Sequence, residues 1–144
     1  MPHFVDVRLI NSNRTFNFIC LSGMTARHFR GIPSIQEVEC WGGYVAPDAK
    51  LISLQMFKRS ESSVLASLNL YTNSCMTYGE FSSCVIDLRD VHNSRLRLLV
   101  HDLAEGESRE YRCTAVGMAP SGSTKTVSWT IVVTRNSECN LLVV

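Results

Sequence analysis

Six cysteines are the side chains whose type and spacing bear most directly on chemistry: Cys20, Cys40, Cys75, Cys84, Cys113 and Cys139. No two of them form C-x-x-C, and no close Cys/His pair has zinc-ligand spacing, so neither a metal site nor a dithiol redox centre is expected. An even number at wide intervals favours disulfides, and with them an oxidising compartment. Asn13-Arg14-Thr15 is a glycosylation sequon in keeping with secretion. Asn13 either carries a glycan or simply belongs to a turn. His101-Asp102, near several serines, has the residue types of a hydrolase pair. The presented nucleophile is missing, because no G-x-S-x-G elbow occurs. His3, His28 and His92 read as surface residues, and Glu105 and Glu107 as solvated turn residues. Neither glycine-rich phosphate cradle, G-x-G-x-x-G or G-x-x-x-x-G-K-[ST], is present. No cofactor and no catalytic site are expected.

Charge and hydropathy narrow the partners. The net charge is +1, and Lys and Arg are interspersed with acids, so the basic stripe of a nucleic-acid reader is missing. No segment approaches the roughly 18 consecutive apolar residues of a membrane helix, so direct membrane insertion is not expected. The start, MPHFVDVRLI, lacks the basic-then-apolar layout of a secretory leader. With the apolar LLVV end, it suits a piece of a longer protein. The 144 residues allow one domain with a sizeable core. The expected organisation is a single domain over 1–144, with 135–144 as an extension or linker towards a following domain.

The elements that would hold these residues read as strands. Short alternating runs, separated by turn residues, dominate. Val5, Val7 and Leu9 alternate with polar neighbours, and Thr15–Cys20 puts Phe16, Phe18 and Cys20 on one face. Residues 21–50 hold four glycines and two prolines and read as a long connection, with one short strand near Val38–Trp41. Such a length is usually functional or tied down. Leu51–Arg59 and Val64–Tyr71 read as a hairpin, Thr72–Ser83 as a loop, and Cys84–Leu88 and Arg95–Val100 as strands. Glu110–Val116 aligns Tyr111, Cys113 and Ala115, and Thr126–Thr134 aligns Val127, Trp129, Ile131 and Val133. About nine strands with turns at this spacing suit a β-sandwich.

The stretch from Leu98 to Cys113, LLVHDLAEGESREYRC, resembles the E-strand, turn and F-strand of the immunoglobulin superfamily. Leu98, Val100 and Leu103 take the core positions, Tyr111 the tyrosine corner and Cys113 the inter-sheet cysteine. Glu107 stands where Asp is usual in that pattern and Arg109 where Ala or Gly is usual. The resemblance implies an all-β, two-sheet antiparallel sandwich of variable or intermediate type. It also implies an acid–arginine pair for Glu107, with Arg89 or Arg95 as partner. It further implies a disulfide from Cys113 to a B-strand cysteine, for which Cys20 in FNFIC fits. The B-to-C region would then be enlarged. Of the remaining cysteines, Cys75 and Cys84 would staple a local loop, and Cys40 and Cys139 would pin the long connection to the C-terminal segment. The family's strand-C tryptophan has no obvious counterpart. Either Leu54 or Met56 takes its place, or Trp41 marks strand C and later strands are insertions. The hairpin SLQMFKRSESSVLASL is also similar to immunoglobulin domains joined to fibrinogen-like lectins of invertebrate immunity.

What the resemblance implies of function is an extracellular recognition or adhesion module binding protein or glycan through end loops or an exposed sheet face. The alternatives are a spacer or oligomerisation domain of a larger secreted lectin or receptor, and a secreted enzyme, which the missing site chemistry argues against. Trp41 and Tyr44, on a glycine-flanked loop, are the candidate ligand contacts. The competing reading packs both rings back onto the sandwich edge. Oligomeric state is left open.

Overall fold

The structure is a computed structural model that describes residues 23–42, 49–58, 63–78 and 81–139. Nine strands lie in them: β1 (Met24–Phe29), β2 (Ile32–Trp41), β3 (Lys50–Lys58), β4 (Val64–Asn69), β5 (Ser74–Thr77), β6 (Phe81–Val85), β7 (Arg95–Val100), β8 (Arg109–Met118) and β9 (Thr124–Val133). They form a four-stranded sheet, β1-β2-β7-β6, and a five-stranded sheet, β5-β4-β3-β8-β9. Every described pairing is antiparallel.

Alternation on β7, β8 and β9 builds most of the core. Leu96, Leu98 and Val100 face inward from β7, Tyr111, Cys113 and Ala115 from β8, and Trp129, Ile131 and Val133 from β9. Leu54 and Met56 on β3 are fully buried, opposite Ala115 and Cys113. Ala66 and Leu68 on β4 continue the layer. Burial of this kind contributes about 25 cal/mol per Å² of apolar surface, so register is held by every inward residue at once.

Residues 24–41 depart from the sequence expectation. They form a hairpin, β1–β2, and not a long connection. Arg30 and Gly31 both have positive φ, 52° and 76°, as a two-residue hairpin turn of the favoured hand requires. Pro33 sits near the start of β2, before its pairing with β7 begins at Gln36, so no bond of that ladder is lost. Gly23 lies against the Trp129 indole so closely that a Cβ there would overlap the ring. Residues 72–83, expected as a loop, contain β5 and the start of β6.

The cysteine pairing follows from this hairpin. β2 lies in the sheet opposite β8, and Cys40 is joined to Cys113 across the core, with Cα atoms 5.9 Å apart. The expected Cys20–Cys113 and Cys40–Cys139 bonds are therefore both replaced. Cys40, on the inward face of β2, is the residue that meets Cys113. Cys75 on β5 is joined to Cys84 on β6, so a second disulfide ties the sheets together at their far edge. Cys139 is disulfide-bonded as well. Cys20, Asn13, Tyr44 and the strands expected before residue 21 lie outside the described residues.

After β9 the chain folds back along β1. The Cys139 N–H donates to the Ala26 carbonyl at 2.9 Å, and the buried Gln36 amide donates to the Ser137 carbonyl at 3.0 Å. The His28 ring is held between the Glu138 carboxylate and the Arg135 carbonyl.

Candidate functional site

The two outward faces differ in chemistry. On the four-stranded sheet, cross-strand pairing puts Glu39 of β2 opposite Arg97 of β7 and Thr25 of β1. The Glu39 carboxylate lies 2.7 Å from Arg95, 3.4 Å from Arg27 and 3.6 Å from Arg97, and its side chain is only 5% exposed. Arg97 also lies 3.6 Å from Glu37. A carboxylate so desolvated persists because several cations share it, and the arginines are occupied by it in turn. The charged rows of β1, β2 and β7 close upon themselves, while Phe81 on the edge strand β6 stays exposed at 67%.

Trp41 belongs to that closed face. It ends β2, half-buried, with its ring 4.9 Å from the Arg95 guanidinium and its backbone N–H donating to the Gly23 carbonyl at 2.7 Å. The side chain proposed as a loop-borne ligand contact is thus held on the sheet under an arginine. His101 and Asp102 are also engaged structurally. The His101 ring packs on Phe81 with centroids 4.4 Å apart, and both carbonyls face the Arg109 guanidinium, at 3.0 and 3.4 Å.

Glu107 pairs with neither Arg89 nor Arg95. Arg109 Nε donates to one carboxylate oxygen at 2.8 Å, and the Ala104 N–H donates to the other at 2.9 Å. The Arg109 hydrogen bond, then the Ala104 N–H, hold the Glu107 carboxyl below its ordinary value. The pairing raises Arg109 in return. A lowered folded-state pKa means the turn's contribution is complete above the unfolded pKa and is lost as pH falls through the folded one. Titration followed by carboxyl NMR is expected to place the Glu107 midpoint below the usual glutamate range, and Arg109→Ala to raise it. Equal midpoints in the two proteins would contradict the pairing.

The five-stranded sheet presents a different outward face. Among the described residues, no ion pair lies on it; the pairs found are on the four-stranded sheet, at the Glu107 turn and at His28. Its outer rows carry Ser53, Gln55 and Phe57 on β3, Ser67 on β4, Thr114 and Arg112 on β8, and Ser128 and Thr130 on β9. Around β4 and β5 it exposes Tyr71 at 62%, Met76 at 55% and Tyr78 at 48%. Between β3, β4 and the segment after β5 lies an open depression of about 460 Å³ lined by Gln55, Ser63, Val64, Ser67 and Tyr78. The Tyr78 hydroxyl donates to Met76 Sδ at 3.5 Å, and the Tyr71 hydroxyl to Met118 Sδ at 3.6 Å. Sequence reasoning missed this surface because it treated Thr72–Ser83 as a loop. The sequence signal available was the neutral, tyrosine-bearing composition of residues 63–78.

A structure described as murine CRIg aligns over 77% of this chain and 96% of its own, with a TM-score of 0.51 and 11% sequence identity. The fold is an immunoglobulin-like β-sandwich. The two sheets correspond to strands A-B-E-D and C″-C′-C-F-G of the variable type. Cys40–Cys113 is the inter-sheet disulfide of that scheme. On strand C, where tryptophan is usual, the inward positions hold Leu54 and Met56, both fully buried, with Met56 opposite Cys113. The large indole comes instead from β9, where Trp129 stands opposite Cys113 and shares its inward face. No protein-family model matches the chain, and no curated protein matches its sequence.

Proposed function

We propose that this domain is an extracellular recognition module whose binding surface is the outward face of the five-stranded sheet. The observation that carries this is the contrast between the faces. One is closed by a carboxylate shared among three arginines, while the other, free of ion pairs among the described residues, exposes Tyr71, Met76 and Tyr78. Tyrosine and methionine are enriched at recognition surfaces, whereas interlocked charges are depleted from their centres. Two described disulfides support an oxidising, extracellular setting. The module includes residues 135–139, expected from the sequence as the start of a linker, because they are hydrogen-bonded to β1 and β2. The resemblance of the β3–β4 hairpin to domains joined to fibrinogen-like lectins supports placing it in an invertebrate immune lectin.

The reading is tested on arrays of defined extracellular proteins and glycans. The wild type is compared with a face variant, Tyr71→Ser/Met76→Ser/Tyr78→Ser, and with a control, Ile32→Ser/Leu88→Ser. Wild type and control are expected to bind the same ligand, and the face variant to bind it at least about tenfold more weakly, as loss of an anchor cluster implies. Equal binding by wild type and face variant overturns the assignment of the face. Failure of the wild type to bind any ligand overturns the recognition reading and favours a spacer.

A further inference from the structure

We propose that the depression formed by Gln55, Ser63, Val64, Ser67 and Tyr78 is a binding site for a neutral saccharide. The inference rests on the assignment of the five-stranded face as the recognition surface, and it names the ligand class. Its basis is the chemistry of the lining. Gln55 and Ser67 stand directly opposite each other in the β3–β4 register, so both rise from a fully paired floor. Their amide and hydroxyl, together with the Ser63 hydroxyl, take no hydrogen-bond partner among the described residues. Each of the three groups both donates and accepts. That is the match required by sugar hydroxyls, which also do both.

Tyr78 supplies the second element. Its hydroxyl is directed to Met76 Sδ at 3.5 Å, and its N–H donates to the Leu65 carbonyl at 2.9 Å, so the residue is held from both ends. The residue as a whole remains 48% exposed, beside Val64. An aromatic face is electron-rich and attracts the polarised C–H bonds on one side of a pyranose ring. Among the described residues the lining has no charged side chain, so none of these five selects a carboxylate, a sulfate or a phosphate. An extended peptide has no free backbone to pair with here, since β3 and β4 are hydrogen-bonded to each other across the floor. A volume of about 460 Å³ falls in the range of small-ligand sites. Its openness suits one or two sugar units at the end of a longer glycan.

The test titrates the ¹⁵N-labelled domain with methyl glycosides of glucose, galactose, mannose and N-acetylglucosamine and with their disaccharides. At least one probe is expected to shift the amides of Gln55, Val64, Ser67 and Tyr78. For that probe, Tyr78→Ala is expected to weaken binding at least about tenfold, and Gln55→Ala several-fold. Tyr78→Phe, which keeps the ring, should retain wild-type affinity, separating loss of stacking from loss of fold. Absence of shifts with every probe, shifts mapping to other strands, or full affinity in Tyr78→Ala would each overturn the saccharide site. If a protein ligand is then lost in the Tyr71/Met76/Tyr78 face variant, the recognition face stands and only its ligand class is wrong. If no ligand binds that face either, both fall.

Discussion

Replacing Cys40 and Cys113 together by alanine is expected to lower the free energy of unfolding by about 4 kcal/mol. The bond spans 73 residues, and closing so long a loop removes much of the unfolded chain's freedom. It also lies at the centre of the core, where both sulfurs are fully buried among Leu54, Met56, Leu96 and Trp129. Total stabilities of single domains are about 5–15 kcal/mol, so the double variant should lose much of its stability and be partly unfolded at 37 °C. Removing Cys75–Cys84, which spans only 9 residues, should cost roughly 2.5 kcal/mol on the same loop-entropy relation. Urea unfolding of the three proteins measures the order. A smaller loss at Cys40/Cys113 than at Cys75/Cys84 would contradict the central position assigned to the first bond.

Trp129→Ala is expected to be the most damaging single truncation, at about 3–5 kcal/mol. Trp129 is the largest fully buried side chain; it stands opposite Cys113 and is closely approached by Gly23. Truncation leaves a cavity between β1 and β9 that the disulfide on one side and the β1–β2 hairpin on the other prevent from collapsing. The chain's second tryptophan provides the comparison. Trp41 lies half-buried on the outward face under Arg95, where an exposed cation–π contact is worth about 0.5–1 kcal/mol. Trp41→Ala should therefore cost about 1 kcal/mol. Denaturant midpoints with unchanged m-values measure both. A loss at Trp41 equal to that at Trp129 would mean that the core indole has been misassigned.

The parts of this fold legible in the sequence are those in which one strand alone shows its pattern. On β7, β8 and β9 the inward residues are apolar and the outward ones mostly polar, so Leu98, Leu103, Tyr111 and Cys113 could be placed without knowing their neighbours. The β3–β4 hairpin was visible for the same reason. β2 was not. Its run Gln36-Glu37-Val38-Glu39-Cys40 has a polar residue at an inward position and a buried acid at an outward one. Glu39 becomes tolerable only beside Arg27, Arg95 and Arg97, two of which come from a strand more than fifty residues on. No window along the chain contains that information. Gly31 and Pro33 read as loop breakers, although one makes a hairpin turn and the other sits before the second ladder begins. With β2 hidden, the alternation in Phe16, Phe18 and Cys20 took the place of the first-cysteine strand, and the pairing moved with it. β5 was missed because all four of its residues are exposed and show no alternation. The candidate surface around Tyr78 was lost together with it.

The division into a closed face and an open face depends on β2 and β8 facing each other across the core. Peptide mapping of the unreduced protein after trypsin tests this most directly. The prediction is that peptide 31–50, carrying Cys40, is joined to peptide 113–125, carrying Cys113, and that Cys75 and Cys84 stay linked within the single peptide 60–89. Recovery of peptide 15–27, carrying Cys20, joined to peptide 113–125 would contradict it. The first-cysteine strand would then precede residue 21, and the two faces would have to be reassigned.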